Sequence, residues 1–216
     1  MEGSPFTVLF VCTGNICRSP LAERVTRAVL DAALGSDAAS VRLESAGTRA
    51  VAGSSVHPYS AAVLTALGGD SGGFIARQLT DDTAAGADLT LALTRSHRRA
   101  VLKRAPRGLS RTFTLLEAAD LASFVPIDAD LPGATFADRC RSLVRELAAA
   151  RARRATDVHD DIPDPIGESV AFHEEVGEAI ADGVERLFSR FAQLSPASRA
   201  LSPRVEEPSA FFLSGH

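Results

Sequence analysis

Cys12 and Arg18 are the two residues whose types and spacing are best suited to chemistry, with five residues between them. A cysteine thiolate is a strong nucleophile, and a guanidinium group presents a planar fork of donors that matches two oxygens of a phosphate. Ser19 follows directly, and its hydroxyl can donate to the Cys12 sulfur and ease the departure of that sulfur as a leaving group. The pattern predicts a nucleophilic cysteine facing a bound phosphate, and the alternative is a cysteine that merely packs at the end of a strand.

The segments on either side of this loop are predicted to be a strand and a helix. Residues 8–11 form a short apolar run that is typical of a buried parallel strand. Residues 21–30 carry apolar side chains at helical spacing. Pro20 suits the first turn of that helix, because its missing N–H would have no partner there. The loop therefore joins the carboxyl end of a strand to the amino end of a helix.

Residues 13–18 form a loop suited to binding an anion. Successive N–H groups can point inward, and the start of the helix adds partial positive charge that also favours the thiolate of Cys12. Gly14 and Asn15 both tolerate the positive φ that such a cradle requires. A nucleotide-binding P-loop is disfavoured, since the Gly-Lys-Ser/Thr ending is absent. The predicted phosphate ligands are Thr13, Gly14, Asn15, Ile16, Cys17 and Arg18.

The composition is that of an ordinary globular protein. The chain has 216 residues, 45% of them hydrophobic and 23% charged, and a formal net charge of −4. This charge gives no basic field that would favour nucleic acid, and no apolar run approaches the ~20 residues of a membrane span. The first residues show no signal-peptide pattern, and three cysteines do not make a disulfide framework. We therefore expect a cytoplasmic protein with free thiols and without nucleic-acid or membrane partners.

Strand and helix patterns alternate along the chain, which predicts an α/β fold with a parallel sheet covered on both faces. Ligands in such sheets bind at the carboxyl ends of the strands, where Cys12 is placed. The expected strands are 8–11, 41–44, 87–94 and 111–116, and the expected helices are 21–30, 57–67, 96–104, 117–124, 136–153 and 168–194.

The loop Cys12-Thr13-Gly14-Asn15-Ile16-Cys17-Arg18-Ser19-Pro20 resembles the signature loop of the low-molecular-weight protein tyrosine phosphatase family. Ser45-Ala46-Gly47-Thr48 resembles the family's second motif and gives Ser45 a supporting role beside the loop. The resemblance implies a three-layer, flavodoxin-like fold with a four-stranded parallel sheet. It also implies hydrolysis of protein phosphotyrosine through a phosphocysteine, without a metal or other cofactor. The resemblance covers roughly residues 7–194, and we expect a phosphatase domain of residues 1–194 followed by a flexible tail of residues 195–216.

A thiolate that displaces an oxygen from phosphorus needs a proton donor for the leaving group. Ile162-Pro163-Asp164-Pro165 resembles the family's Asp-Pro motif, which assigns the general acid to Asp164. The alternative is that Asp164 is a solvated loop residue beside Asp157, Asp160 and Asp161.

The other cysteines and the histidines have no role fixed by their spacing. Cys17 either packs within the loop or, as the resemblance implies, forms a reversible disulfide with Cys12 that protects the nucleophile. Cys140 is expected to be structural. The five histidines are scattered along the chain, so surface or capping roles and no metal site are expected. They are His57, His97, His159, His173 and His216.

The substrate is the least determined part of the prediction. Val51 and Ile166 stand where the family usually has aromatic pocket walls, whereas Ile16 favours an aryl phosphate over phosphoarginine, for which relatives carry a smaller polar residue. Arginine phosphatase and a non-catalytic phosphate-binding module remain alternatives. Arsenate reduction is disfavoured because no further cysteine lies between Cys17 and Cys140. The expected partner is a phosphorylated protein, and the oligomeric state is open.

Overall fold

The computed structural model describes residues 4–155 and 159–195. The four strands form one parallel sheet in the order β2-β1-β3-β4. They are β1 Phe6–Cys12, β2 Val41–Gly47, β3 Leu89–Ala92 and β4 Thr112–Thr114. The α-helices are α1 Arg18–Leu34, α2 Pro58–Ala66, α3 Asp81–Gly86, α4 Arg95–Arg104, α5 Leu115–Ser123, α6 Phe136–Ala150 and α7 Val170–Ala192. The predicted four-stranded parallel α/β fold is confirmed.

The predicted C-terminal tail falls almost wholly outside the described residues. Its first residue, Ser195, is fully buried, and its hydroxyl donates to Asp37 Oδ2 at 2.7 Å. Ser195 therefore packs against the domain. Residues 196–216 and 156–158 lie outside the described part of the chain.

The fourth strand is shorter than the pattern of residues 111–116 predicts. Thr114 takes the N-cap position of α5, where its hydroxyl accepts from the Glu117 N–H at 3.1 Å. The Glu117 carboxylate accepts in return from the Thr114 N–H at 3.2 Å. This reciprocal capping box starts the helix at Leu115 and so ends the strand after three residues.

The sheet separates two hydrophobic cores. Phe6, Val8 and Phe10 of β1 point into the larger core, which is shared with α1, α5 and α7. Leu9 and Val11 point the other way, into a smaller core with residues of α3 and α4. This alternation follows from the two-residue period of a strand. Helices therefore cover both faces of the sheet.

Helix α7 packs closely against α2 and the larger core. Phe188 is 1% exposed and its ring lies 6.3 Å from that of Phe10 and 5.4 Å from that of Phe191. At Gly177, a Cβ atom would come within 2.3 Å of the Val63 side chain in α2. The missing side chain lets the two helices approach each other at this point.

No helix within the described ranges is both long and apolar enough to cross a membrane.

We expect Phe188→Ala to lower the free energy of unfolding by about 3–5 kcal/mol, because it removes a buried ring from the contact between α7 and β1. Denaturant unfolding measures the change. Ile127→Ala is the control, since Ile127 is 83% exposed and its loss should change stability by no more than about 0.5 kcal/mol. Equal effects of the two substitutions would contradict this account of the core.

Candidate active site

The Cys12 loop lies at the carboxyl end of the central strand. Cys12 is the last residue of β1, and α1 begins at Arg18. Asn15 has a φ of 55°, in the left-handed region that the cradle was expected to need. The Cys12 sulfur accepts the Asn15 N–H at 3.3 Å and lies 3.0 Å from Ser19 Oγ. The structure thus places Ser19 against the sulfur, where the sequence predicted it.

A buried polar network holds Asn15 in this conformation. The Asn15 amide donates to Ser19 Oγ at 2.8 Å and to Ser45 Oγ at 2.9 Å, and its oxygen accepts the Arg77 N–H at 2.8 Å. Ser45 in turn donates to Glu23 Oε2 at 2.5 Å. Burial raises the pKa of the Glu23 carboxyl, while the bond from Ser45 and the charge of Arg77 oppose the shift. The sequence predicted Ser45 beside the loop and missed Glu23.

His97 contacts the other side of the loop. Its Nε2 lies 2.8 Å from Thr13 Oγ1, and its side chain is buried, so the expected surface or capping role is wrong for the side chain of this residue. Burial first, and then the positive charge of Arg18, lowers the pKa of His97 to about 4. The imidazole is therefore neutral near pH 7. No local motif indicates this contact, because 84 residues separate the partners.

Arg18 connects the loop to the predicted general acid. Its side chain is 4% exposed, and its Nη1 donates to the Ile162 carbonyl at 3.1 Å. Its Nη2 donates to Asp164 Oδ2. The Asp164 side chain is 43% exposed and its Oδ1 accepts the Ile166 N–H at 3.3 Å. The structure therefore brings Arg18 and Asp164 together across 146 residues of chain.

Two neighbouring carboxylates, one buried and one exposed, anchor the Asp164 loop. Asp160 is buried and accepts Arg154 Nη2 on Oδ1 at 2.6 Å. Asp161 Oδ1 accepts the Arg95 N–H, at the start of α4, at 2.6 Å. The Ile162 N–H donates to the Leu93 carbonyl, just beyond β3, at 2.9 Å. These contacts fix the acid loop against the sheet edge that carries Cys12.

Cys17 is a buried thiol in the wall of the same cavity. Burial raises its pKa to about 11, and the Ser60 hydroxyl partly opposes that shift. Both Cys12 and Cys17 are free thiols here. Cys140 is fully buried in α6, where burial also raises its pKa. These thiols thus occupy different environments, and only Cys140 lies away from the loop.

A cavity of about 380 Å³ opens above the loop. Val51 and Ile166 form part of its rim and are about half exposed, so its walls are aliphatic at the two positions where aromatic rings were absent from the sequence. Asn15 is fully buried and lies behind the cavity wall rather than in it. Arg49, which sequence reasoning missed, adds a positive charge to the lining. The lining residues are Cys12, Thr13, Gly14, Ile16, Cys17, Arg18, Arg49, Val51, Asp164 and Ile166.

Residues 7–125 match the model of a known family, described as low molecular weight phosphotyrosine protein phosphatase. The chain belongs to this family. The matched region contains the Cys12 loop, His97 and Ser45 but ends before Asp164. The role of Asp164 consequently rests on the geometry around Arg18 and on the Asp-Pro motif.

Individual relatives include phosphatases with two different named activities. A low molecular weight protein-tyrosine-phosphatase of Streptomyces coelicolor is 45% identical over 103 residues, which cover 47% of this chain and 60% of the relative. A protein-arginine-phosphatase of Bacillus subtilis is 31% identical over 114 residues, which cover 51% of this chain and 70% of the relative. The crystal structure of a low molecular weight protein tyrosine phosphatase from T. tengcongensis matches with a TM-score of 0.61 and 27% identity. That match covers 85% of this chain and 97% of the other.

We expect Glu23→Gln to become more stable relative to the unmodified chain as the pH rises from about 4 to about 7. Folding raises the pKa of Glu23 above its ordinary value of 4.5, so its protonated form favours folding at low pH. That contribution is lost as the carboxyl ionises with rising pH. Urea unfolding at several pH values measures the difference in the free energy of unfolding.

Glu175→Gln is the matched control, because Glu175 lies on the exposed side of α7. A stability difference between Glu23→Gln and the unmodified chain that stays constant or falls with pH would contradict the assignment.

Proposed function

We propose that this protein is a cysteine-dependent phosphomonoesterase that hydrolyses phosphotyrosine in proteins through a phosphocysteine intermediate. One observation carries the proposal: a nucleophile, a phosphate-binding guanidinium and a carboxyl group line one cavity, from positions as far apart as Cys12 and Asp164. Family membership supports the same reaction. A phosphorylated protein is the proposed substrate, and inorganic phosphate and the dephosphorylated protein are the products.

The first step transfers the phosphoryl group to the enzyme. The Cys12 sulfur attacks phosphorus while Asp164 protonates the leaving oxygen. Arg18 and the inward N–H groups of residues 13–18 hold the three equatorial oxygens and stabilise the charge on them. This use of Arg18 requires that its fork be shared with the phosphate, so the contact with Asp164 changes when substrate enters.

The second step returns the enzyme to its starting state. Asp164, now ionised, takes a proton from a water molecule that attacks the phosphocysteine. The Cys12 sulfur leaves as a thiolate, and the hydroxyl of Ser19 at 3.0 Å stabilises it. Since this thiol must stay reduced to act, a reducing compartment such as the cytoplasm is the proposed location.

Phosphoarginine is the second candidate substrate, because the relative from Bacillus subtilis is named a protein-arginine-phosphatase. Two lining residues favour the aryl phosphate instead. Ile16 presents an aliphatic side chain to the cavity, and Arg49 adds a positive charge that would repel a cationic guanidino group. An arsenate-reductase relay would need an accessible further thiol, whereas Cys140 is fully buried.

Cys12→Ser should abolish hydrolysis of para-nitrophenyl phosphate, and Asp164→Asn should lower kcat by roughly 10²–10⁴-fold because the leaving group loses its proton donor. The assay is run near pH 6 with a reductant. Asp128→Asn, an exposed carboxylate on a distant loop, is the control and should retain full activity. Turnover by folded Cys12→Ser, or its absence in the unmodified protein, would overturn the proposal.

Ile16→Thr should shift the ratio of kcat/KM for phosphoarginine over phosphotyrosine peptides upward, by roughly 10-fold, because it replaces an apolar contact with a polar one. Val51→Thr also introduces a hydroxyl, at the rim, and serves as the control. An unchanged ratio in Ile16→Thr, or equal shifts in both variants, would show that position 16 does not select the substrate.

A further inference from the structure

Three metal-binding side chains meet beside the phosphate loop. Cys17 precedes α1, His57 precedes α2, and His173 lies in the first turn of α7. One ligand atom from each lies within 4.8 Å of the other two. We expected the histidines to be scattered, with no cluster of metal ligands. That expectation is wrong for His57 and His173, which lie together in the folded chain. Sequence spacing could not reveal it, because the three residues come from distant segments.

The histidine nitrogens in this cluster have unused coordination capacity. His173 is 1% exposed and its ring interacts with the backbone carbonyl of Pro165, but no described residue lies within ordinary hydrogen-bond distance and angle of its Nε2. The buried Nδ1 of His57 likewise finds no hydrogen-bond partner within the described part of the chain. The two rings stack, with centroids 4.9 Å apart. Buried polar nitrogens without partners are costly, and a ligand would satisfy them.

The surroundings already orient the cluster. The second nitrogen of His173, Nδ1, lies 2.9 Å from the buried hydroxyl of Ser60, and the same hydroxyl interacts with the Cys17 thiol. Such a partner on the far nitrogen fixes the ring orientation of a ligating histidine. The backbone of His57 is fixed to the loop, because its main-chain N–H donates to the Ile16 carbonyl at 2.8 Å. Tyr59 packs edge-on against both imidazoles at 5.4 and 5.5 Å and limits their movement.

We propose that Cys17, His57 and His173 form a Zn²⁺ site that joins the phosphate loop to the N-terminal ends of α2 and α7. One thiolate and two imidazoles are a donor set that suits Zn²⁺, with water as the fourth ligand. On binding, the Cys17 S–H bond breaks, the proton passes to solvent, and the sulfur lone pair forms the bond to zinc. No oxidation or reduction is involved.

The observed spacing is close to what zinc requires. Bonds of about 2.0–2.3 Å in a tetrahedral arrangement place neighbouring ligand atoms roughly 3.3–3.7 Å apart. The present limit of 4.8 Å therefore needs side-chain movements of roughly 1 Å. Since the three donors come from three elements, the bound ion would cross-link the loop to both helices and stabilise the folded state.

The test is a Co²⁺ titration of the full chain carrying Cys12→Ser, in a phosphine reductant. This background removes the competing nucleophilic thiol and makes turnover irrelevant, so the outcome is independent of the proposed phosphatase activity. We expect one equivalent of Co²⁺ to give tetrahedral d–d bands and a thiolate charge-transfer band, which Zn²⁺ then abolishes. Zn²⁺ should also raise the Tm of this protein.

Two further substitutions in the same background test the ligands. His57→Gln removes Nδ1. His173→Asn removes Nε2 but keeps an amide nitrogen near Ser60. Each substitution should raise the Kd for Co²⁺ at least tenfold. His159→Gln, at an exposed histidine, should leave the Kd unchanged. If His173→Asn lowers the Tm in the absence of metal, its loss of binding could reflect lost stability. The Kd of His57→Gln then decides whether the proposal stands. Failure to bind one equivalent, or a Kd within twofold of the parent in His57→Gln, would overturn the proposal.

Discussion

The active site depends on the left-handed conformation of one buried residue, Asn15. A positive φ in a residue other than glycine is unfavourable and persists only when its surroundings fix it, at a cost of order 1–3 kcal/mol. Here the side chain of Asn15 is fully buried and uses both amide hydrogens and its oxygen, toward Ser19, Ser45 and the Arg77 N–H. The same residue directs its own N–H at the Cys12 sulfur. Backbone conformation, nucleophile and supporting serines are therefore fixed by one amide.

The second half of the site reaches the loop through charge and topology. The carboxyl ends of β1 and β3 lie side by side, so a segment pinned beyond β3 faces Cys12. The Ile162 N–H donates there to the Leu93 carbonyl. Asp160 binds the Arg154 side chain, and Asp161 accepts a backbone N–H at the start of α4. Arg18 then completes the arrangement by binding both the Ile162 carbonyl and Asp164. A single guanidinium therefore links the Cys12 loop to the Asp164 carboxyl.

The sequence predicted those features whose residues lie close together along the chain. The Cys12 loop, its flanking strand and helix, and the parallel sheet all show within short windows, and the structure has each of them. The early end of β4 also has a local signal, because Thr114 and Glu117 have the spacing of a capping box. The prediction missed it by following the apolar residues as far as Leu116. Glu23 and His97 could not be found this way. Their partners, Ser45 and Thr13, lie 22 and 84 residues away, and only the folded sheet brings them together.

Cys17 is where the loop's possible chemistries compete. Cys17 lines the cavity, and its sulfur lies within 4.8 Å of nitrogens of two imidazoles on other elements. A disulfide with Cys12, as the family resemblance implies, and coordination of zinc both consume this one sulfur, so each state excludes the other. Burial, which raises the pKa of the Cys17 thiol to about 11, disfavours the free thiolate that either needs. A cation held by His57 and His173 offsets that cost locally, because it stabilises the thiolate where water cannot. Metal binding would then withhold Cys17 from oxidation, and Cys12 would remain without a partner thiol in its own loop.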